Sequence, residues 1–280
     1  MLIKCWGARG SIPVSGKEYV KHGGDTTCIE LRTKDNDLII IDAGSGIRRL
    51  GNNLIKEGRK DINIIFTHAH WDHILGFPYF KPLYLKGTNI TMLGSPIAQE
   101  SIRHIISKTM QAPNFPVRYE DMRAEISYIG ACPDWFRIEG ISITPIRLSH
   151  PNQGMGYKFI ENNKSFVFLT DNELTYMHPG GLKYEDYVEF SNGADLLIHD
   201  SEYLPEEYRK LTKTWGHSTY LDALKLAIEA GVKRFGLFHH NQERTDKQID
   251  AMVKDCRRIL KEKRVKMECF AVAEDMELEV

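Results

Sequence analysis

The stretch Ile64-Ile65-Phe66-Thr67-His68-Ala69-His70-Trp71-Asp72-His73 sets three imidazoles and a carboxylate within six residues, directly after an apolar run. In an extended backbone successive side chains alternate, so His68 and His70 project to one side. A turn after them swings Asp72 and His73 towards a second point nearby. Borderline cations such as zinc take imidazole nitrogen and carboxylate oxygen at ~2.0–2.2 Å, so the spacing offers two ligand pairs rather than one chelate. A lone His-x-His is more often a hydrogen-bonded loop. Four ligand-type residues in six, at the exit of a strand, predict a metal site.

If so, further ligands belong at the ends of other strands. Ile143-Thr144-Pro145-Ile146-Arg147-Leu148-Ser149 leads to His150, and Phe166-Val167-Phe168-Leu169-Thr170 leads to Asp171. Leu196-Leu197-Ile198 leads to His199 and Asp200, and Phe235-Gly236-Leu237-Phe238 leads to His239 and His240. Taken singly, a His or Asp after a strand is commonly a turn residue. Taken with the His68 cluster, the set reads as one rim where a rigid sheet meets adaptable loops.

The His68-Ala69-His70-Trp71-Asp72-His73 motif resembles that of the metallo-β-lactamase-fold hydrolases, and Asp42-Ala43-Gly44 resembles their upstream Asp motif. Within that superfamily the chain is most similar to the phosphodiesterase branch, which holds tRNA 3′-processing endonucleases and cyclic-phosphodiester hydrolases. Ile198-His199-Asp200-Ser201-Glu202, Gly216-His217-Ser218-Thr219 and Leu237-Phe238-His239-His240 carry that closer likeness, which runs from Gly7-Ala8-Arg9-Gly10-Ser11 to His240. The resemblance implies an α/β, four-layer αβ/βα sandwich and two divalent metal ions, both zinc, with manganese as the alternative. It gives His68, His70 and His150 to one metal and Asp72, His73 and His239 to the other, with Asp171 bridging. His239 is preferred to His240 because it takes the position after Leu-Phe. Asp42 is expected to orient the ligand loop through hydrogen bonds.

The same resemblance assigns catalytic roles to Asp72, His217 and Asp200. Asp72 accepts a proton from the nucleophile while remaining a ligand. His217, held by Asp200, protonates the leaving sugar alkoxide, for which an imidazole has a suitable pKa class. This chain carries Asp at position 200 where the endonuclease-like branch usually has Glu, so the pair's reach is one methylene shorter. His199 is expected beneath the site. His22, His104 and His178 show no partner pattern. The loops Gly23-Gly24-Asp25-Thr26-Thr27 and Gly44-Ser45-Gly46 resemble phosphate cradles only as any glycine-rich turn does.

The expected substrate is small. The tRNA-processing relatives carry a long arm between the positions of His150 and Asp171, which here are only 21 residues apart. The balance of 37 Lys+Arg against 38 Asp+Glu, net charge −1, supplies no broad basic face for an extended nucleic acid. A cyclic phosphodiester such as a cyclic nucleotide fits better, with RNA 3′-processing as the alternative. A lactone or thioester hydrolase of the same fold is a further alternative, as is a metal-stabilised binding module. A di-iron redox protein is disfavoured, since it usually needs a partnered flavin domain and a single domain is expected. A homodimer is expected by family analogy alone.

Short β-branched runs alternate with amphipathic segments, the signature of a layered α/β domain. Strands are predicted over 38–41, 62–66, 141–148, 165–169, 195–198, 234–238 and 267–272. Helices are predicted over 245–262, over about 219–230 ending at Gly231, and over 97–110. A single domain over 1–280 is expected, with a lid-like insertion at about 97–135 whose Met110, Phe115 and Tyr119 would serve as substrate wall, core or dimer contact. Five widely spaced cysteines with no Cys-x-x-Cys pair argue against a disulfide framework. No apolar run nears the ~20 residues of a membrane span, and the early Gly-rich loop leaves no room for a secretory leader, so a cytoplasmic setting is expected.

Overall fold

The computed structural model describes residues 1–94, 102–129 and 134–280. Among these, the chain builds two seven-stranded sheets. The first contains β1 (Leu2–Gly7), β2 (Cys28–Arg32), β3 (Leu38–Ile41), β4 (Asp61–Ile65), β5 (Asn89–Leu93), β6 (Glu125–Ile129) and β14 (Glu277–Glu279), in the order β14-β1-β2-β3-β4-β5-β6. The second contains β7 (Phe136–Ile138), β8 (Ile141–Arg147), β9 (Met155–Glu161), β10 (Lys164–Leu169), β11 (Leu196–Asp200), β12 (Arg234–Phe238) and β13 (Glu268–Ala271), in the order β13-β12-β11-β10-β9-β8-β7.

Side-chain alternation decides the layering. In β3, Ile39 and Ile41 face one core while Leu38 and Ile40 face another. In β10, Phe166 and Phe168 face the first of these and Val167 and Leu169 a third. The shared core, with Ile3, Ile29, Ile143, Phe159 and Ile198 beside them, lies between the sheets. Each outer face is closed by helices. α1 (Ile47–Glu57) and α3 (Ile102–Thr109) cover the first sheet. α4 (Tyr184–Ser191), α6 (Tyr220–Glu229) and α7 (Asp246–Glu262) cover the second. Two short α-helical turns, α2 (Trp71–Ile74) and α5 (Pro205–Glu207), complete the α-helices among the described residues. This is a four-layer αβ/βα sandwich.

Local chemistry explains the helix ends. Thr219 Oγ1 accepts the Asp222 N–H at 3.1 Å to start α6, and Gly231, with φ +62°, follows its end. At α7, the Thr245 N–H donates to Gln248 Oε1 at 2.9 Å. The expected helix over 97–110 is realised as Ile102–Thr109; residues 97–101 lie outside the described set.

Parts of the segment 97–135 are tied into the fold. β6 pairs in parallel with β5 as the outer strand of the first sheet. Met110 is fully buried, and the Tyr119 hydroxyl bonds that of Tyr128. Among the described residues, no helix is long and apolar enough to cross a membrane.

Candidate metal centre and proton-donor pair

The topology brings the sequence-predicted residues together. β3 and β4 are parallel, so Asp42 and the His68–His73 run leave the first sheet at the same end. β10, β11 and β12 are also mutually parallel, and β8 and β10 both run antiparallel to β9. His150, Asp171, Asp200 and His239 therefore emerge from one end of the second sheet. Three of the exits are left-handed: Asp42 has φ +61°, Asp171 +54° and His239 +56°. Such conformations carry strain in non-glycine residues and concentrate at functional sites.

Two candidate ligand groups form. His68, His70, His150 and Asp171 bring ligand atoms within 4.8 Å of one another, and so do Asp72, His73, Asp171 and His239. Asp171 belongs to both and uses a different oxygen for each. Its Oδ2 lies 3.4 Å from His68 Nε2 and 3.8 Å from His150 Nε2. Its Oδ1 lies 3.3 Å from both His73 Nε2 and His239 Nε2. Asp72 Oδ2 completes the second group, 3.0 Å from His239 Nε2 and 3.4 Å from His73 Nε2, and also accepts the Ser11 N–H.

The far nitrogens fix which atom of each ring faces inward. His73 Nδ1–H donates to Asp42 Oδ2 at 2.7 Å, and His150 Nδ1–H donates to the Gly216 carbonyl at 2.8 Å. His239 Nδ1 lies 3.0 Å from Glu202 Oε2. Asp42 is held in turn by the Thr67 N–H and hydroxyl, both at 2.7 Å.

These residues fit divalent cations. His68 Nε2 and His73 Nε2 are buried without a hydrogen-bond partner, both aimed into the cluster. His150 Nε2 approaches His70 Nδ1 at 3.0 Å. Two imidazole nitrogens that close need a proton or a cation between them. Burial drives His68 well below its ordinary pKa and His150 down to about 3, so both present neutral lone pairs. An all-nitrogen-and-oxygen donor set of this kind suits zinc or manganese.

The second constellation adjoins the first. His217 Nδ1 lies 2.9 Å from Asp200 Oδ2 and 3.3 Å from Glu202 Oε2. Asp200 spans the gap despite its shorter side chain, because it extends β11 and is gripped by the Glu202 N–H at 3.0 Å and the Asn172 N–H at 3.3 Å. Burial opposes charge on His217, but Glu202 and Asp200 outweigh it and raise the ring to about 9.

His240 turns away: its Nε2 meets the Val272 carbonyl at 2.8 Å and its ring packs edge-on to His22. His199 is buried under the rim, bonding the Asp200 carbonyl and Asn172. His178, which showed no pattern in sequence, pairs with Glu173 at 2.8 Å. The two glycine-rich loops bond each other through Ser45 Oγ and Asp25. Gly44 has a packing reason: a Cβ there would sit 2.3 Å from the Asp72 carbonyl oxygen.

Glu202 and Glu173 were not singled out in the sequence. Each stands two residues after a predicted site residue, Asp200 and Asp171 respectively, and that spacing was the available signal. Beside the rim, exposed Trp71 joins Ile74, Leu75, Pro78, Tyr79, Thr109, Asn114 and Phe115 around a mostly apolar groove of about 360 Å³.

Fold and rim together define a metallo-hydrolase class. The sequence model of the beta-lactamase superfamily domain matches residues 38–240, and the chain belongs to that superfamily. The ribonuclease Z of Sulfurisphaera tokodaii is 26% identical over 243 residues, spanning 71% of this chain and 77% of that protein. The metallo-beta-lactamase fold protein YhfI from Bacillus subtilis superposes with a TM-score of 0.73 at 17% identity, over 100% of this chain and 98% of that one. A diphosphatase of the PhnP family gives 0.69 at 18% identity, over 100% and 97%. At these identities the structural likeness is one of fold. The chain is a hydrolase with the metallo-β-lactamase fold, for which divalent metal ions are implied.

Proposed function

We propose that this hydrolase is a dinuclear, zinc- or manganese-dependent phosphodiesterase acting on a small, cyclic phosphodiester such as a cyclic nucleotide. The observation that carries the reading is the Asp200–His217 pair, set against candidate ligand His239 with ring centroids 4.8 Å apart. A proton donor beside the ligand cluster suits a poor alkoxide leaving group.

His68, His70 and His150 would hold one cation, Asp72, His73 and His239 the other, and Asp171 both. When bound, the pair would lower the pKa of a water and neutralise charge on the phosphoryl oxygens. Asp72 takes the nucleophile's proton. His217 keeps Nδ1–H on Asp200 and gives its Nε2 proton to the leaving oxygen as the P–O bond breaks, ending as neutral imidazole.

Small size is supported by the His150–Asp171 span. It holds only a turn, β9 and β10, joined by Asn162-Asn163 with φ +50° and +61°. Two left-handed residues suit a tight hairpin turn and leave no arm. The groove beside Trp71 offers a seat for a non-reacting part of the substrate. Ribonuclease Z relatives favour a second reading, removal of an RNA 3′ trailer.

The test is the purified chain with zinc or manganese, assayed on bis(p-nitrophenyl) phosphate, cyclic mononucleotides, a 3′-extended tRNA, a lactone and a thioester. Turnover of the diester and a cyclic nucleotide, abolished by His70→Ala, is expected. Trailer removal without cyclic nucleotide turnover would install the second reading. Activity on the lactone or thioester alone would overturn both.

A further inference from the structure

We infer that Glu173 is a positioning residue that locks the loop carrying His217 to the strand end carrying Asp171, and so sets the proton donor against the metal cluster. The inference rests on the phosphodiesterase reading for its catalytic meaning and on hydrogen-bond geometry for its substance.

The Glu173 side chain is wholly buried and receives four donors. Oε1 accepts from the Tyr208 hydroxyl at 2.5 Å and the Thr214 N–H at 2.7 Å. Oε2 accepts from the Gly216 N–H at 2.8 Å and pairs with His178 Nε2 at 2.8 Å. A carboxylate has about four lone-pair sites, so this one is saturated. Two of its donors are backbone groups flanking Trp215, immediately before His217.

The grip reaches the metal cluster through one residue. Gly216 donates its N–H to Glu173, and its carbonyl accepts from His150 Nδ1. Only glycine serves there: φ is +96°, and a Cβ would lie 2.2 Å from His150 Nδ1. Thr214 is also left-handed, at φ +75°, a conformation that needs an external hold. On the far side of His217, Ser218 Oγ donates to the Asn172 carbonyl at 2.5 Å and accepts the Leu174 N–H at 3.1 Å. His217 is thus pinned before and behind to the Asn172–Leu174 turn that follows Asp171. Nothing in the proposed chemistry itself uses Glu173.

Glu173→Gln tests the idea, since an amide nitrogen cannot accept and must face one pair of donors. Tyr208→Phe removes a single donor and serves if the first variant folds poorly. The substrates are 2′,3′-cyclic AMP, with an alkoxide leaving group, and bis(p-nitrophenyl) phosphate, whose nitrophenolate needs no acid. The turnover ratio of the first to the second should fall at least tenfold in Glu173→Gln and about threefold in Tyr208→Phe. Hydrogen exchange over 212–218 should quicken at least tenfold in Glu173→Gln while exchange over 196–200 stays as in the parent. Equal losses on both substrates would overturn the inference, because they would mean a general structural role. Unchanged exchange over 212–218 would overturn it whatever the assays gave. If the parent chain cleaves neither diester, the phosphodiesterase reading fails instead, and the exchange result still decides whether Glu173 holds the loop.

Discussion

His217 and His239 lie ring on ring, centroids 4.8 Å apart and planes within 16° of parallel. Glu202 Oε2 reaches both, 3.0 Å from His239 Nδ1 and 3.3 Å from His217 Nδ1. One buried carboxylate thereby fixes the orientation of a candidate ligand and of the candidate acid together. Displacement of either ring would be felt by the other.

His217→Ala is expected to slow hydrolysis of alkoxide-leaving diesters by ~10²–10⁴-fold, the usual worth of a positioned general acid. Nitrophenolate-leaving diesters should lose far less. The check is the ratio of the two rates at saturating metal; equal losses would remove His217 from the acid role.

Asp42→Asn should weaken metal affinity by ~10–100-fold, the common effect of removing a carboxylate behind a ligating histidine. Asp42 holds His73 Nδ1–H at 2.7 Å without entering either ligand group. Competition with a metallochromic chelator measures it, and an unchanged affinity would show that His73 needs no such anchor.

Asp195→Asn is a test away from the rim. Asp195 Oδ1 meets Lys233 at 2.8 Å and Lys164 at 3.1 Å, and Oδ2 accepts the Ser165 N–H at 2.9 Å. Burial pushes this carboxyl up, but Lys233, the Ser165 N–H and Lys164 prevail and bring it down to about 2. A carboxylate depressed in the folded state stabilises above its unfolded pKa and loses that contribution as pH falls through its folded one. The variant should melt below the parent at neutral pH, with the gap closing between about pH 4 and pH 2. Thermal unfolding across that range gives the answer, and a gap independent of pH would refute the electrostatic origin.

The rim was legible because its residues follow apolar strands without delay. Sequence order alone puts His150, Asp171, Asp200 and His239 just past Leu148, Leu169, Ile198 and Phe238; parallel pairing of β10, β11 and β12 and the antiparallel β9 between β8 and β10 do the rest. Glu173 and Glu202 were silent because their partners, Thr214, Gly216, His239 and Asn241, arrive from distant segments. β1, β2, β5, β6, β7 and β14 were not expected as strands. β6 alternates between exposed and half-buried residues, and β7 and β14 have three residues each. Their existence depends on the neighbour they pair with, which local pattern does not contain. α1 was hidden for another reason: Gly51, Asn52 and Asn53 are poor helix formers, overridden by burial of Ile47, Leu50 and Leu54 on one face.

The Asn162-Asn163 hairpin has a practical side. It opens β10 at the pole away from Asp171, about 20 Å along a six-residue strand, and both asparagines face solvent. Lengthening such a connection raises its closure cost by only ~0.6 kcal/mol per doubling. A fluorophore-bearing segment or a whole carrier protein spliced between these two asparagines would hang clear of the working end, giving a handle for immobilisation that the chemistry does not notice.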